Sequence, residues 1–200
     1  MDKPVMPLVG NKPATFPQSR FSKANILVVD DSQFNLKLIS SQLAGSGYTS
    51  VVTAVDGVDG LQKSYKQMPD LILLDIMMPN LDGFGFCEQI RSDPSAPYMP
   101  IIVQTALDDR ETKLRALKCG ADDFLNKPLD LEEVALRVHV HLERYFILQD
   151  LENMRMYLRM ELDQAQNTIK QLEENAGSGH KLLDKHYEVL GAMAAIPSKH

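Results

Sequence analysis

Two hundred residues, 44% of them hydrophobic, suffice for one domain with a real core plus an extension. A formal net charge of -6 argues against the basic face of a nucleic-acid-binding module, and no run approaches the ~18 apolar residues of a membrane span. With no basic-then-apolar leader, and with Cys87 and Cys119 lacking a CxxC pair or a histidine at ligand spacing, a soluble cytoplasmic chain without zinc or a disulfide framework is expected. The two cysteines read as small core hydrophobes.

Residues 1–23 carry Pro4, Pro7, Pro13 and Pro17 among small and polar residues and predict a flexible arm. From Asn25 to about Pro128, apolar runs alternate with amphipathic helical patterns. The runs are Ile26 to Val29, Val51 to Ala54, Leu71 to Leu74, Ile101 to Val103 and the short Phe124-Leu125. The helical patterns between them are marked by Phe34, Leu38 and Leu43, by Val58, Leu61 and Tyr65, by Phe86 and Ile90, and by Leu114 and Leu117. Strands alternating with helices imply βαβ units and a parallel sheet covered on both faces. Five strands in about a hundred residues predict an α/β, flavodoxin-like, doubly wound sheet of order 2-1-3-4-5, with a ligand crevice at the carboxyl ends of strands 1 and 3.

The ends of those runs carry the chemistry. Strand 1 ends in Asp30-Asp31, strand 3 in Asp75, strand 4 in Gln104-Thr105-Ala106, and strand 5 runs into Asn126-Lys127-Pro128. Pro79 and Asp82-Gly83 follow Asp75 closely, so its carboxylate is expected on a short, stiff loop at the sheet edge rather than buried. Three carboxylates in one crevice repel one another unless a cation joins them, and a hard divalent ion such as Mg²⁺ takes oxygen ligands. Asp30, Asp31, Asp75 and the Met77 carbonyl are the expected metal ligands. Lys127 adds an ammonium and Thr105 a hydroxyl, a set suited to a phosphoryl group, and a carboxylate such as Asp75 can serve as nucleophile. The small Ala106 leaves the space over Asp75 open. Any one of these residues could simply cap a helix, but that reading accounts poorly for all of them together.

Asp30-Asp31, Asp75 within Asp-Ile-Met-Met-Pro-Asn-Leu-Asp-Gly, Thr105-Ala106 and Gly120-Ala121-Asp122-Asp123-Phe124-Leu125-Asn126-Lys127-Pro128 together resemble the receiver domain of bacterial two-component response regulators. The resemblance covers about residues 24–143, with five motifs in order. It implies that Asp75 is the phosphoacceptor, that Asp30 and Asp31 hold Mg²⁺, and that Thr105, Ala106 and Lys127 line the phosphoryl group. The implied donor is the phosphohistidine of a sensor histidine kinase or phosphotransfer protein. It also implies a cis Lys127-Pro128 peptide, and a switch in which Thr105 moves toward the phosphate while Phe124 turns inward. A plain core role for Phe124 on strand 5 is the alternative.

From Leu131 to about Asn175 there is no Pro or Gly, roughly 45 residues or ~65 Å of helix. Leu151, Met154, Leu158, Leu162, Ala165, Ile169 and Leu172 form a seam spaced 3, 4, 4, 3, 4 and 3, a heptad with a stutter. Residues 144–175 are therefore expected to form a coiled coil, with a parallel homodimer favoured over folding back on the receiver. Ala176-Gly177-Ser178-Gly179 are expected to end the helix. Residues 176–200 then read as a glycine hinge and short helical tail, marked by Leu183, Tyr187, Leu190 and Ala194, or as the start of an output domain. His180 and His186 read as solvent-facing.

Three functions follow. The first is a non-enzymatic phosphoacceptor switch acting through a dimeric helix, with no nucleic-acid or membrane partner. The second is the regulatory front part of an enzyme such as a diguanylate cyclase, a cyclic-di-GMP phosphodiesterase, a phosphatase or a hybrid kinase. The third, a DNA-binding regulator, would need a helix-turn-helix that these residues lack. By the same resemblance, Met77 and Leu107 occupy the two positions that shape acyl-phosphate hydrolysis, and neither side chain can orient an attacking water. The phosphorylated protein is expected to hold its phosphoryl group well beyond seconds in purified form with Mg²⁺. Following loss of radiolabel after a phosphorylation pulse tests this directly.

Overall fold

A computed structural model describes residues 18–106, 114–115 and 118–194. Its strands are β1 (Asn25–Val29), β2 (Ser50–Ala54), β3 (Leu71–Asp75), β4 (Ile101–Thr105) and β5 (Asp123–Asn126). Every pairing is parallel and the order is β2-β1-β3-β4-β5, as the alternating pattern predicts. Among the described residues, helices are formed by α1 (Gln18–Ser22), α2 (Gln33–Gly45), α3 (Gly57–Gln67), α4 (Gly83–Ser92) and α5 (Leu131–Ala194), and Leu114 and Arg115 are helical as well.

Strand alternation divides the core in two. Val28, Leu73, Ile102 and Leu125 face Leu36, Ile39 and Leu43 of α2 and Val134, Val138 and Leu142 of α5. Leu27, Val29, Ile72, Leu74, Ile101 and Val103 face Phe86, Cys87 and Ile90 of α4, with Leu61 of α3 partly buried beside them. With apolar cover on both faces, the strands read as unbroken apolar runs rather than alternating ones. Cys87 and Cys119 are both buried, as expected.

Two helices bury a face different from the one expected. In α2 the buried residues are Leu36, Ile39 and Leu43, whereas Phe34 is 73% exposed and Leu38 is also exposed. Ser32 caps this helix by accepting from the Asn35 amide, and the phase set there turns Phe34 outward. In α3, Val58 and Tyr65 are exposed while Gly57, Gly60 and Ser64 are buried. A Cβ on Gly60 would lie 3.0 Å from both Val29 and Phe86, so the helix packs through its absent side chain rather than through its large ones. Leu114 is likewise exposed, while Leu117 and Leu107 lie outside the described residues.

Part of the segment expected as an arm is helical. Residues 1–17 lie outside the described set, but Gln18–Ser22 is helical, and Phe21 packs on the core edge-on to Phe146 at 5.6 Å. Thr49 fastens the segment by donating its amide and hydroxyl to the Ser22 carbonyl.

The chain divides between Ile147 and Leu148. In the first of the two units, Asp130 starts α5 by accepting from the Glu132 and Glu133 amides. Asp123 on β5 accepts from Arg137 Nη1 at 2.7 Å and lies 3.0 Å from His141 Nε2. Beyond the division, every side chain from Asp150 to Asn175 is exposed. The seam residues Leu151, Met154, Leu158, Leu162, Ile169 and Leu172 are exposed to 56–63%. The helix does not end at Gly177 or Gly179 but continues to Ala194. Each glycine costs only about 1 kcal/mol against alanine, which flanking helix formers on both sides can offset. Among the described residues no helix is long and apolar enough to cross a membrane.

Burial tends to raise the Asp123 carboxyl, but the hydrogen bonds from His141 and Arg137 outweigh it and hold its pKa below the usual value. A depressed carboxylate contributes stability above its unfolded pKa of about 3.9 and loses it as pH falls toward the folded value. Asp123→Asn is expected to cost about 1–2 kcal/mol at pH 7. In urea melts, the gap to wild type should narrow below about pH 4.

Candidate functional site

The carboxyl ends of β1, β3 and β4 and the segment after β5 meet at one edge of the sheet. Asp30 directly follows β1, and its amide donates to the Ala54 carbonyl, extending the ladder by one residue. Asp75 is the last residue of β3 and is buried at 4% exposure, not carried on the following loop. Backbone pairing continues past the apolar run, with Asp75 opposite Gln104 on β4. Asp30 is fully buried, whereas Asp31 is exposed. One oxygen from each of Asp30, Asp31 and Asp75 falls within 4.8 Å of the others. Three hard oxygen donors this close, two of them buried, suit a hard divalent cation such as Mg²⁺.

Lys127 reaches the cluster from beyond β5. Its Nζ donates to Asp75 Oδ2 at 2.7 Å and to Asp30 Oδ2 at 3.1 Å. Its amide donates to the Thr105 carbonyl at 2.7 Å, and the Lys127-Pro128 peptide is cis. Burial raises the Asp75 pKa, and the nearby Asp30 charge adds to that; the Lys127 contact opposes them without cancelling them. Burial disfavours the Lys127 ammonium, but Asp75 first and Asp30 behind it more than offset this and leave its pKa raised. The site thus gathers a desolvated carboxylate, a permanent cation and a set of metal-type oxygens.

The other expected residues line the same edge. Thr105 is buried at the end of β4, and Ala106 beside it is exposed. The Met77 amide donates to Asp75 Oδ1 at 3.2 Å while its side chain points to solvent. Phe124 is half-buried, and it packs on the sheet face that holds Val103, opposite the Asp75 row. Asn35 is a participant that pattern reading passed over. Its Nδ2 lies 3.1 and 3.0 Å from the two Asp30 oxygens, and the Ser32 amide donates to Oδ1 at 2.8 Å. Its signal in the sequence is the polar residue three past the helix cap, facing back toward the strand end.

The family model for the response regulator receiver domain matches residues 26–139. Response regulator PleD of Caulobacter vibrioides is 44% identical over 107 residues, covering 54% of this chain and 23% of that protein. The DNA-binding dual master transcriptional regulator RpaA of Synechocystis is 40% identical over 119 residues, covering 60% and 49%. Hybrid signal transduction histidine kinase D of Dictyostelium discoideum is 35% identical over 151 residues, covering 76% and 9%. The match therefore spans half or less of these relatives. Among solved structures, the receiver domain of Francisella response regulator 1452 superposes with a TM-score of 0.57 at 32% identity, covering 61% of this chain and 98% of that one. Vibrio cholerae chemotaxis protein CheY4 gives 0.56 at 32% identity, covering 60% and 98%.

Gly83 is what lets α4 begin directly beneath this edge. A Cβ there would lie 2.5 Å from the Asp75 carbonyl oxygen and 2.8 Å from the Ile76 Cα, both backbone atoms. Gly85, two residues later, would meet the flexible Leu81 side chain instead. Helix propensity alone favours alanine at either position. Gly83→Ala should nevertheless lose about 1–3 kcal/mol in urea melts, through displacement of the β3 end. Gly85→Ala should lose distinctly less.

Proposed function

The chain belongs to the response regulator receiver family, and on that premise we propose that Asp75 accepts a phosphoryl group from a histidine kinase or phosphotransfer protein. The observation that carries this reading is the Lys127 ammonium bridging two buried carboxylates, Asp75 at 2.7 Å and Asp30 at 3.1 Å. An oxygen of Asp75 attacks phosphorus, the bond from phosphorus to the donor nitrogen breaks, and the leaving nitrogen keeps the electron pair and takes up a proton. Lys127 turns from the carboxylates to the phosphoryl oxygens, and the Thr105 hydroxyl donates to one of them. Asp30, Asp31, Asp75 and the Met77 carbonyl would hold Mg²⁺, which neutralises charge on the phosphoryl oxygens when bound.

Strand alternation supports Thr105 and Phe124 as the switch pair, since both belong to the sheet face of Val103. A shift of Thr105 toward the phosphate opens room along that face for the Phe124 ring. The output runs through α5 beyond Ile147, where an apolar seam exposed among the described residues suits a homodimeric coiled coil over the part of 144–175 that follows the core residues Tyr145 and Phe146. Phosphorylation biases two existing arrangements rather than creating one.

A second reading makes this chain the regulatory part of a larger enzyme. It is favoured by relatives such as PleD and the hybrid kinase, of which the match covers 23% and 9%. A reading frame that continues past His200 into a catalytic domain would select it.

Beryllofluoride or acetyl phosphate should change the mass or hydrodynamic radius of wild type in light scattering and leave Asp75→Ala unchanged. The same response in both proteins, or in neither, would refute the switch.

A further inference from the structure

Gln104 is fully buried, yet neither its Oε1 nor its Nε2 finds a hydrogen-bond partner among the described residues. Buried carboxamides are nearly always paired, and leaving both ends unpaired is costly, so an apolar residue would be the expected occupant of this position. Its place in the sheet explains why a polar group sits there. Gln104 and Asp75 are direct partners across β3 and β4, and alternation puts both on the face of Leu73 and Ile102. Adjacent strands lie about 4.8 Å apart, so a glutamine side chain on one reaches a carboxylate on the next.

Lys127 already holds one of the two. It starts beyond β5, the strand outside β4, and its ammonium ends on Asp75 of β3 and Asp30 of β1. The lysine side chain therefore crosses the carboxyl end of β4 and occupies Asp75 Oδ2, while Asp75 Oδ1 accepts from the Met77 amide. We propose that Gln104 is a positioning residue of the phosphoacceptor site, its amide donating to a carboxyl or phosphoryl oxygen of loaded Asp75 once Lys127 is drawn outward. This rests on Asp75 being the phosphoacceptor. The unpaired amide then raises the energy of the unloaded site and the new hydrogen bond lowers that of the loaded one, so both effects bias the protein toward the loaded state.

The test uses the full chain, with wild type, Gln104→Leu and Asp75→Ala melted thermally with and without beryllofluoride in Mg²⁺. Gln104→Leu should raise the Tm of the unloaded protein and raise the beryllium concentration needed for half-maximal response about tenfold. Opposite signs in the two states separate positioning from a packing role, which would move both in one direction. A lowered unloaded Tm would mean that the amide is already satisfied, and an unchanged beryllium midpoint would mean that it never engages the loaded site. Either result overturns the proposal. Gln104→Met, similar in volume, is read by the same criteria if the leucine variant does not fold. A response that persists in Asp75→Ala overturns the phosphoacceptor reading itself. A response lost there but kept at full strength in Gln104→Leu overturns the role of Gln104 alone.

Discussion

Two buried carboxylates on neighbouring strands, held together by one lysine from the far side of the sheet, are the constraint on which this molecule depends. Like charges at the end of a dry sheet are offset by Lys127, which reaches both, at 2.7 and 3.1 Å. That reach requires β1, β3, β4 and β5 to be adjacent and parallel, so that their carboxyl ends share an edge. The sheet order is thus a condition of the site as much as a consequence of the βαβ pattern.

Close backbone approach supports the same edge from beneath. Gly83 lets α4 start against the Asp75 and Ile76 main chain, and Gly60 lets α3 lie on Val29 and Phe86. Ser32 and Asn35 at the start of α2 hold Asp30 in place through its own oxygens, so helix capping and site geometry are one set of contacts. In each case a small or polar residue at an element boundary sets where a carboxylate stands. The large apolar residues set the sheet on which it stands.

The last helix joins two regimes. Up to Ile147 it is a core element, with Val134, Val138, Leu142 and Phe146 packed on the sheet and α1 docked beside it. Beyond that point its apolar seam is exposed. The helix itself runs on past that point to Ala194.

The sequence by itself determined the strand runs, their order and the residues at their ends, because a run of apolar residues and the polar residue that stops it are local facts. Asp30, Asp31, Asp75 and Lys127 were all legible in that way, and the structure brings them together. Helix faces were not legible for α2 and α3. Their phase depends on a cap at Ser32 and on the closeness that Gly60 allows, and neither is visible in apolar spacing. The burial of Asp75, the grip of Asn35 on Asp30 and the unpaired Gln104 also waited on the fold. Each depends on what lies across a strand or a helix start, and those neighbours are distant along the chain. The two glycines after Asn175 show the converse limit: a local breaker signal yields when the residues on both sides favour helix. Tertiary structure decided these points because partners and burial are properties of the assembled sheet, not of any one segment.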